Sequence, residues 1–155
     1  MRLLDARGIA YRVKEYDPRQ EFHDAVEVAS LVGAAVETVF KTLVVLRDDG
    51  TRGVVLVLVP ANLKVDLRAL ASARGMKRLR MATQREAEAR TGLRVGGISA
   101  LALADKRFDV VLDASARAFP AIHVSAGVRG MDLELAVDDL VAVTGATVIP
   151  CATAG

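Results

Sequence analysis

Thr42-Leu43-Val44-Val45-Leu46 and Val54-Val55-Leu56-Val57-Leu58-Val59 are two short apolar runs rich in β-branched residues, separated by Arg47-Asp48-Asp49-Gly50-Thr51-Arg52. Residues branched at Cβ favour extended backbone, and an apolar run of five or six residues has the length of a strand. The Asp-Gly pair in the polar segment favours a tight turn. These residues therefore predict a buried antiparallel hairpin.

Helix signals surround this hairpin. Glycine closes five segments and supplies the left-handed residue that often ends a helix. Capping-box spacing marks two starts, Asp24 with Glu27 and Thr83 with Glu86. The predicted helices are residues 1–7, 24–32, 66–74, 83–91 and 137–144, and the further predicted strands are residues 11–16, 110–112, 122–124, 133–135 and 148–149. Hairpins mixed with helices predict an α+β domain with a mixed, partly curled sheet and helices outside it.

The composition indicates one domain, residues 1–155, with an apolar fraction of 52% and no tryptophan. The longest apolar run, Val54–Val59, is far shorter than the roughly 18 residues of a membrane helix, so no membrane partner is expected. The start of the chain lacks a signal-peptide pattern, and the single Cys151 excludes an internal disulfide, which favours a cytoplasmic location. His23 and His123 have no Cys or His cluster near them, so neither a metal nor another cofactor is predicted.

Positive charge is concentrated between Arg74 and Arg94, although the net charge is only +2. Seven Lys and Arg residues stand there against Glu86 and Glu88. This excess is typical either of a surface that meets a phosphate backbone or of an ordinary solvated helix face. The candidates for phosphate contact are Lys77, Arg78, Arg80 and Arg94.

Lys41 is a candidate functional residue because it stands where a helix-like segment enters the first strand of the hairpin. On that strand it shares a face with Leu43 and Val45. Its ammonium group could simply extend to water. Alternatively, it lies at a pocket mouth, where it binds a phosphate or carboxylate or polarises a carbonyl.

Two glycine-containing blocks are further candidates. Gly96-Gly97, followed by Ser99, would let the backbone approach a ligand and turn N–H groups toward it, or would form a plain turn. The block from Ser125 to Asp132 offers a hydroxyl, an arginine and a carboxylate, and is either a pocket floor or a hairpin with an exposed turn. Neither serine has the surroundings of a nucleophile elbow, so an enzyme built here would take its nucleophile from water or from the substrate.

In combination these segments resemble the YbaK family of aminoacyl-tRNA deacylases, relatives of the editing domain of bacterial prolyl-tRNA synthetases. The likeness runs from Leu3 to Ala146. Its marks are Val39-Phe40-Lys41-Thr42-Leu43, Asp66-Leu67-Arg68 with Ala71 and Gly75, Met81-Ala82, Thr91-Gly92 through Val95-Gly96-Gly97-Ile98-Ser99, and Val124-Ser125 through Gly127 to Leu135. The resemblance implies a mixed, partly barrel-like sheet flanked by helices.

The resemblance also implies roles for individual residues. Lys41 would be the central functional residue, with the Gly96 and Gly97 backbone lining the aminoacyl site. Ala100 departs from the family, which often has proline after the serine of the glycine block. The implied substrate-binding residues are Tyr16, Phe22, Thr42, Ser99, Ser125, Gly127 and Asp132.

The implied activity is removal of a wrongly attached amino acid from tRNA. The last block is most similar to the branch that clears Cys-tRNA(Pro), so cysteine is the expected amino acid. Its own thiol would attack the ester carbonyl and leave as a thiolactone, while the protein holds the geometry and stabilises the oxyanion. The expected partners are the 3′ end of tRNA(Pro) and prolyl-tRNA synthetase. The alternatives are a non-catalytic tRNA- or nucleotide-binding module, a deacylase for another small amino acid such as alanine, and a small-molecule esterase.

Overall fold

The computed structural model describes residues 1–18, 24–50 and 52–155. The helices are α1 Arg2–Ala6, α2 Ala25–Leu31, α3 Leu67–Arg74, α4 Gln84–Thr91 and α5 Val137–Thr144, with 3₁₀ turns at Val36–Thr38, Ala104–Lys106 and Ala114–Ala118. The strands are β1 Tyr11–Glu15, β2 Phe40–Arg47, β3 Val54–Pro60, β4 Lys64–Val65, β5 Leu79–Met81, β6 Asp109–Asp113, β7 Ala121–Ser125, β8 Met131–Ala136, β9 Thr147–Ile149 and β10 Ala152–Thr153.

This architecture confirms the predicted α+β class. All five predicted helices form, and their ends differ from the prediction by no more than one residue. Helices α2, α3 and α4 begin at side-chain caps, Asp24, Asp66 and Thr83, and the Thr83–Glu86 capping box is complete. Each cap satisfies an N–H group that has no partner within its helix.

Three sheets make up the β structure of the described residues. The largest has the order β5-β2-β3-β6-β9, in which β3, β6 and β9 run parallel and the other pairs are antiparallel. An antiparallel sheet β1-β8-β7 and a short pair β10-β4 complete the set. The mixed sheet is as predicted. Within the described ranges, however, none of these sheets closes on itself, so the expected partial barrel is not formed.

The main core lies between the two larger sheets. Phe40, Val44 and Leu46 of β2 point into it and meet residues of β7 and β8 such as Ile122 and Leu133. These side chains are almost fully buried, and each contributes about 1.5–3 kcal/mol of burial free energy. The core thereby holds the three-stranded sheet against the face of β2 that carries Phe40, Val44 and Leu46.

A smaller core covers the opposite face of the large sheet and includes Val45, Leu70 and Cys151. Cys151 is only 1% exposed, although its place five residues from the end suggests fraying. The carboxylate of Asp113 accepts hydrogen bonds from the backbone N–H groups of Cys151 and Ala152, at 2.8 and 3.0 Å. The C-terminal segment is therefore tied to the end of β6.

The first half of β2 lies along an incomplete edge of the large sheet. Its partner β5 pairs only with residues from Val45 to Arg47, and a single bridge joins Val39 to His123 of β7. Among the described residues, β5 therefore leaves the backbone edge of residues 40–44 uncovered. None of the helices in the described part of the chain is long and apolar enough to cross a membrane.

Candidate functional site

A cavity of about 390 Å³ opens along this incomplete edge of β2. Its size is at the lower end of the range for small-molecule sites. Its walls come from α2, from the segment joining β5 to α4, from the glycine loop (residues 94–97) and from the ends of β7 and β8. Six of the predicted site residues line it: Tyr16, Lys41, Thr42, Gly96, Ser125 and Asp132.

Lys41 lies at the wall of the cavity rather than extending freely into solvent. It pairs with Val59 of β3 in the sheet, and its side chain is half-buried. Burial lowers the pKa of Lys41 below the ordinary lysine value; Asp24 opposes that shift and Lys64 adds to it. The cation is thus partly desolvated, which strengthens its interaction with any anion that enters the cavity.

Asp132 supplies a buried carboxyl group to the same cavity. It is 6% exposed and stands between Lys14 of β1 and Ser125 of β7 in the register of the sheet. Burial raises the pKa of Asp132 to about 6. At neutral pH the group is therefore mostly ionised at a free-energy cost, which a cationic ligand would offset.

Thr42 presents an unsatisfied hydroxyl. Its Oγ1 is buried and has no hydrogen-bond partner among the described residues. A buried polar atom without a partner costs roughly 1–3 kcal/mol. Thr42 lines the cavity, but its Oγ1 lies just beneath the cavity surface.

Tyr16 enters the cavity wall from the end of β1. Its backbone N–H donates to the carbonyl of Gly130 at 3.0 Å, and burial raises the pKa of its phenol. Phe22, the other aromatic residue predicted for the site, lies outside the described residues. The structure therefore places the first member of the predicted aromatic pair and gives no account of the second.

The two adjacent glycines have different surroundings. Gly96 lines the cavity with a φ of +93°, a conformation that favours glycine. Gly97 is buried, and its N–H already donates to the carbonyl of Arg94 at 2.8 Å. A Cβ at Gly97 would come within 3.0 Å of the backbone of Val128 and Arg129. Of the two N–H groups expected to face a ligand, only that of Gly96 therefore remains a candidate. Gly97 instead allows the backbone of Val128 and Arg129 to pack closely against the loop.

Ser99, Gly127 and Ala100 lie behind the cavity wall. Ser99 is 1% exposed, and its Oγ accepts the N–H of Ala102 at 3.1 Å. The N–H of Gly127 donates to the Oγ of Ser125 at 3.1 Å. Ala100, where the resembled family often has proline, is buried in the main core. These residues support the wall and do not face the cavity.

The basic candidates differ in their pairing. Lys77, Arg78 and Arg94 are exposed, whereas Arg80 forms a two-pronged pair with the carboxylate of Glu86 at 2.8 and 2.7 Å. Arg80 therefore joins β5 to the first turn of α4. Two further exposed arginines that sequence analysis noted but did not select, Arg85 and Arg90, lie on α4.

Three polar residues that line the cavity, Asp24, Thr83 and Gln84, were not predicted from the sequence to do so. Asp24 and Thr83 were recognised only as helix caps, and nothing about a cap tells which surface its helix end will face. Gln84 belongs to no motif. In the described ranges, no group of three or more His, Cys, Asp or Glu residues is arranged to hold a metal.

Known proteins share this fold. The family model described as the aminoacyl-tRNA editing domain matches residues 20–143. A protein of Enterococcus faecalis (strain ATCC 700802 / V583), named as the Cys-tRNA(Pro)/Cys-tRNA(Cys) deacylase EbsC, is 34% identical over 144 residues, which cover 93% of this chain and 86% of that protein.

Two solved structures also match over nearly their whole length. One, of a hypothetical protein, superposes with a TM-score of 0.85 at 26% identity and covers 98% of this chain and 97% of its own. The other, described as a trans-editing enzyme for prolyl-tRNA synthetase, has a TM-score of 0.79 at 27% identity and covers 97% and 92%.

Proposed function

The chain belongs to the aminoacyl-tRNA editing domain family, and from that premise we propose that it removes cysteine wrongly attached to tRNA(Pro). The main support for the proposal is that a single cavity is lined by the partly desolvated Lys41, the buried Asp132 and Gly96. An aminoacyl ester presents a cation, a reactive carbonyl and a nearby phosphate, and this set of groups is complementary to all three.

Asp132 is proposed to bind the α-ammonium group of the aminoacyl moiety. An α-amino group has a pKa of about 8, so it is mostly charged at neutral pH. Pairing with a cation offsets the cost of the buried carboxylate. Thr42 is proposed to line the part of the cavity that takes the side chain of a small amino acid such as cysteine.

Lys41 is proposed to act by electrostatics and positioning. Its ammonium group would hold the terminal adenosine or its phosphate and stabilise the negative charge that develops on the ester carbonyl. The N–H of Gly96 would contribute to the same oxyanion site. Removal of one such donor typically lowers kcat by about 10²–10³.

The nucleophile is proposed to be the substrate's own thiol. No histidine stands among the described residues that line the cavity, and the Oγ of Ser125 accepts the backbone N–H of Gly127, while Asp132, opposite it in the sheet, is assigned to the α-ammonium group. In the proposed step the sulfur bonds to the carbonyl carbon, and the carbon–oxygen bond to the ribose breaks. The proton that the thiol loses is passed to the ribose oxygen, so the products are a cysteine thiolactone and free tRNA. The reaction is then of the lyase type rather than a hydrolysis.

The tRNA is proposed to lie across the exposed basic residues at one side of the cavity. The set predicted from the sequence was Lys77, Arg78, Arg80 and Arg94. Because Arg80 is paired with Glu86, the proposed set replaces it with Arg85 and Arg90 of α4, which are exposed. Binding through phosphates weakens steeply with salt, so activity on tRNA should fall as salt rises.

The test is a comparison of Cys-tRNA(Pro) with S-methyl-cysteinyl-tRNA(Pro) in the presence of wild type, Lys41→Ala and Lys41→Arg. We expect wild type to clear the first substrate only, with thiolactone as the first product, and Lys41→Ala to lose about 10²-fold in kcat/KM while remaining folded.

Turnover of the S-methyl substrate would exclude the thiol mechanism. Full activity of Lys41→Ala would exclude the role of the lysine. Binding of tRNA without cleavage would indicate a binding module, and turnover of simple aminoacyl esters alone would indicate a small-molecule esterase.

A further inference from the structure

Val95, which precedes the glycine pair, has both polar backbone groups held by charged side chains. Its N–H donates to the Oε2 of Glu88 at 2.9 Å. Its carbonyl accepts the Nε–H of Arg129 at 2.7 Å. Glu88 belongs to α4 and Arg129 to the turn between β7 and β8, so two separate elements hold one loop residue in place. Hydrogen bonds to charged groups are stronger than those between neutral groups.

The bond to the Val95 carbonyl also sets the direction of the Gly96 N–H. The peptide joining the two residues is trans, and its C=O and N–H lie in one plane and point in opposite directions. The guanidinium of Arg129 therefore determines where the N–H points. The guanidinium of Arg129 lies on the carbonyl side of this peptide, and Gly96, which carries the N–H, lines the cavity.

Arg129 itself rests on a well-braced turn. The N–H of Ala126 donates to the carbonyl of Met131 at 3.0 Å, and the carbonyl of Gly130 accepts the N–H of Tyr16 at 3.0 Å. Backbone atoms of Arg129 lie close to Gly97, where a Cβ would meet its nitrogen at 3.0 Å. The turn and the glycine loop thus pack backbone against backbone. This contact holds the Arg129 guanidinium close to the Val95 carbonyl.

We infer that Arg129 and Glu88 are positioning residues that aim the Gly96 N–H at the oxyanion of the reaction. The inference rests on the proposed function. Arg129 acts through the peptide: its positive charge at the carbonyl polarises the peptide and strengthens the N–H as a donor. Glu88 fixes the peptide on the other side of Val95. Neither side chain touches the substrate.

The experiment compares Arg129→Ala and Arg129→Lys with wild type in Cys-tRNA(Pro) deacylation. We expect kcat to fall roughly tenfold or more in Arg129→Ala with KM nearly unchanged, because a misdirected donor acts on the transition state and not on ground-state binding. Added guanidinium, at concentrations far below those that unfold proteins, should restore kcat, while NaCl at equal ionic strength should not. Arg117→Ala removes an exposed arginine paired with Asp138 and should leave the rate unchanged.

A second measurement does not depend on activity. The amide resonance of Gly96 should shift in Arg129→Ala and in Glu88→Gln and return toward its wild-type position when guanidinium is added to Arg129→Ala. If Arg129→Ala fails to fold, Arg129→Lys carries the same readouts. The inference would be overturned if the wild type is active and Arg129→Ala keeps the full kcat. It would also be overturned if the Gly96 amide resonance does not shift in either Arg129→Ala or Glu88→Gln. Absence of any wild-type activity would instead refute the proposed function.

Discussion

Lys41 and Asp132 face one cavity with opposite formal charges, and burial shifts both pKa values toward the neutral form. Such perturbed groups are typical of functional sites, because an isolated buried charge lowers stability. The carboxyl group provides the sharper test, since its pKa of about 6 lies well above the ordinary value of 3.8.

Asp132→Asn should therefore stabilise the protein while it impairs the reaction. A carboxyl whose folded pKa is raised favours folding fully below its unfolded pKa, and this contribution is lost as the pH rises through the folded value. At pH 7.5 the asparagine variant should be more stable by up to about 3 kcal/mol, and at pH 4 the difference should nearly vanish. Urea unfolding at the two pH values measures the free energies.

The matched control is Asp105→Asn, which changes an exposed carboxylate and should alter stability at neither pH. Deacylation by Asp132→Asn should be weakened mainly through KM if the carboxylate holds the α-ammonium group. An unfolding free energy at pH 7.5 no higher than that of wild type would contradict the burial cost assigned to Asp132.

Individual roles could be predicted from sequence only in part. Lys41, Gly96, Ser125 and Asp132 belong to distant segments, and the family resemblance selected them before any fold was known. The difference between Gly96 and Gly97 was not accessible, because it depends on a hydrogen bond to Arg94 and on the approach of another turn.

At the scale of elements, the glycine loop is closely packed at Gly97 and offers the N–H of Gly96 as a candidate donor to a ligand. Gly97→Ala should bring a Cβ within 3.0 Å of backbone atoms of Val128 and Arg129, which cannot move aside as a flexible side chain could. We expect a loss of about 1–3 kcal/mol of stability from this overpacking and a loss of deacylation as the loop shifts.

Thermal unfolding and deacylation of Gly97→Ala test this expectation, with Gly155→Ala as control because a Cβ there meets nothing within 4 Å. Wild-type stability together with wild-type activity in Gly97→Ala would show that the loop does not need this contact.

Helix positions were predictable because their signals are local. Asp24, Thr83 and Glu86 specify helix starts through hydrogen bonds that span three residues. The short strands β4, β5 and β10 carry no such signal, since each exists only through pairing with a partner distant in sequence. For the same reason, the incomplete edge of β2 that creates the cavity could not be inferred from the hairpin sequence.

At the scale of the whole molecule, Asp113 connects the C-terminal segment to the large sheet. Burial opposes ionisation of its carboxyl, but hydrogen bonds from Cys151, Ser115 and Ala152 outweigh that effect and lower its pKa. A carboxyl with a depressed pKa adds stability above its unfolded pKa, and this contribution is lost as the pH falls through the folded value.

Asp113→Ala should cost about 2–4 kcal/mol at pH 7, because it leaves buried N–H groups without acceptors, and the cost should shrink in acid. Urea unfolding across pH 3–7 measures it. Because Asp113 does not line the cavity, kcat of the folded variant should stay at the wild-type value. A stability equal to wild type at pH 7 would show that Asp113 does not hold the C-terminal segment.

The most direct measurement is the initial rate of deacylation by the purified protein on tRNA(Pro) charged in turn with cysteine, alanine, serine and proline. Discrimination among small side chains depends on cavity volume and polar partners, and one methylene is worth only about 1–3 kcal/mol. The proposed mechanism predicts rapid release of cysteine, and release of serine, alanine and proline no faster than the uncatalysed rate, because these three lack the attacking thiol. Cleavage of none of the four, or preferential cleavage of Pro-tRNA(Pro), would contradict it.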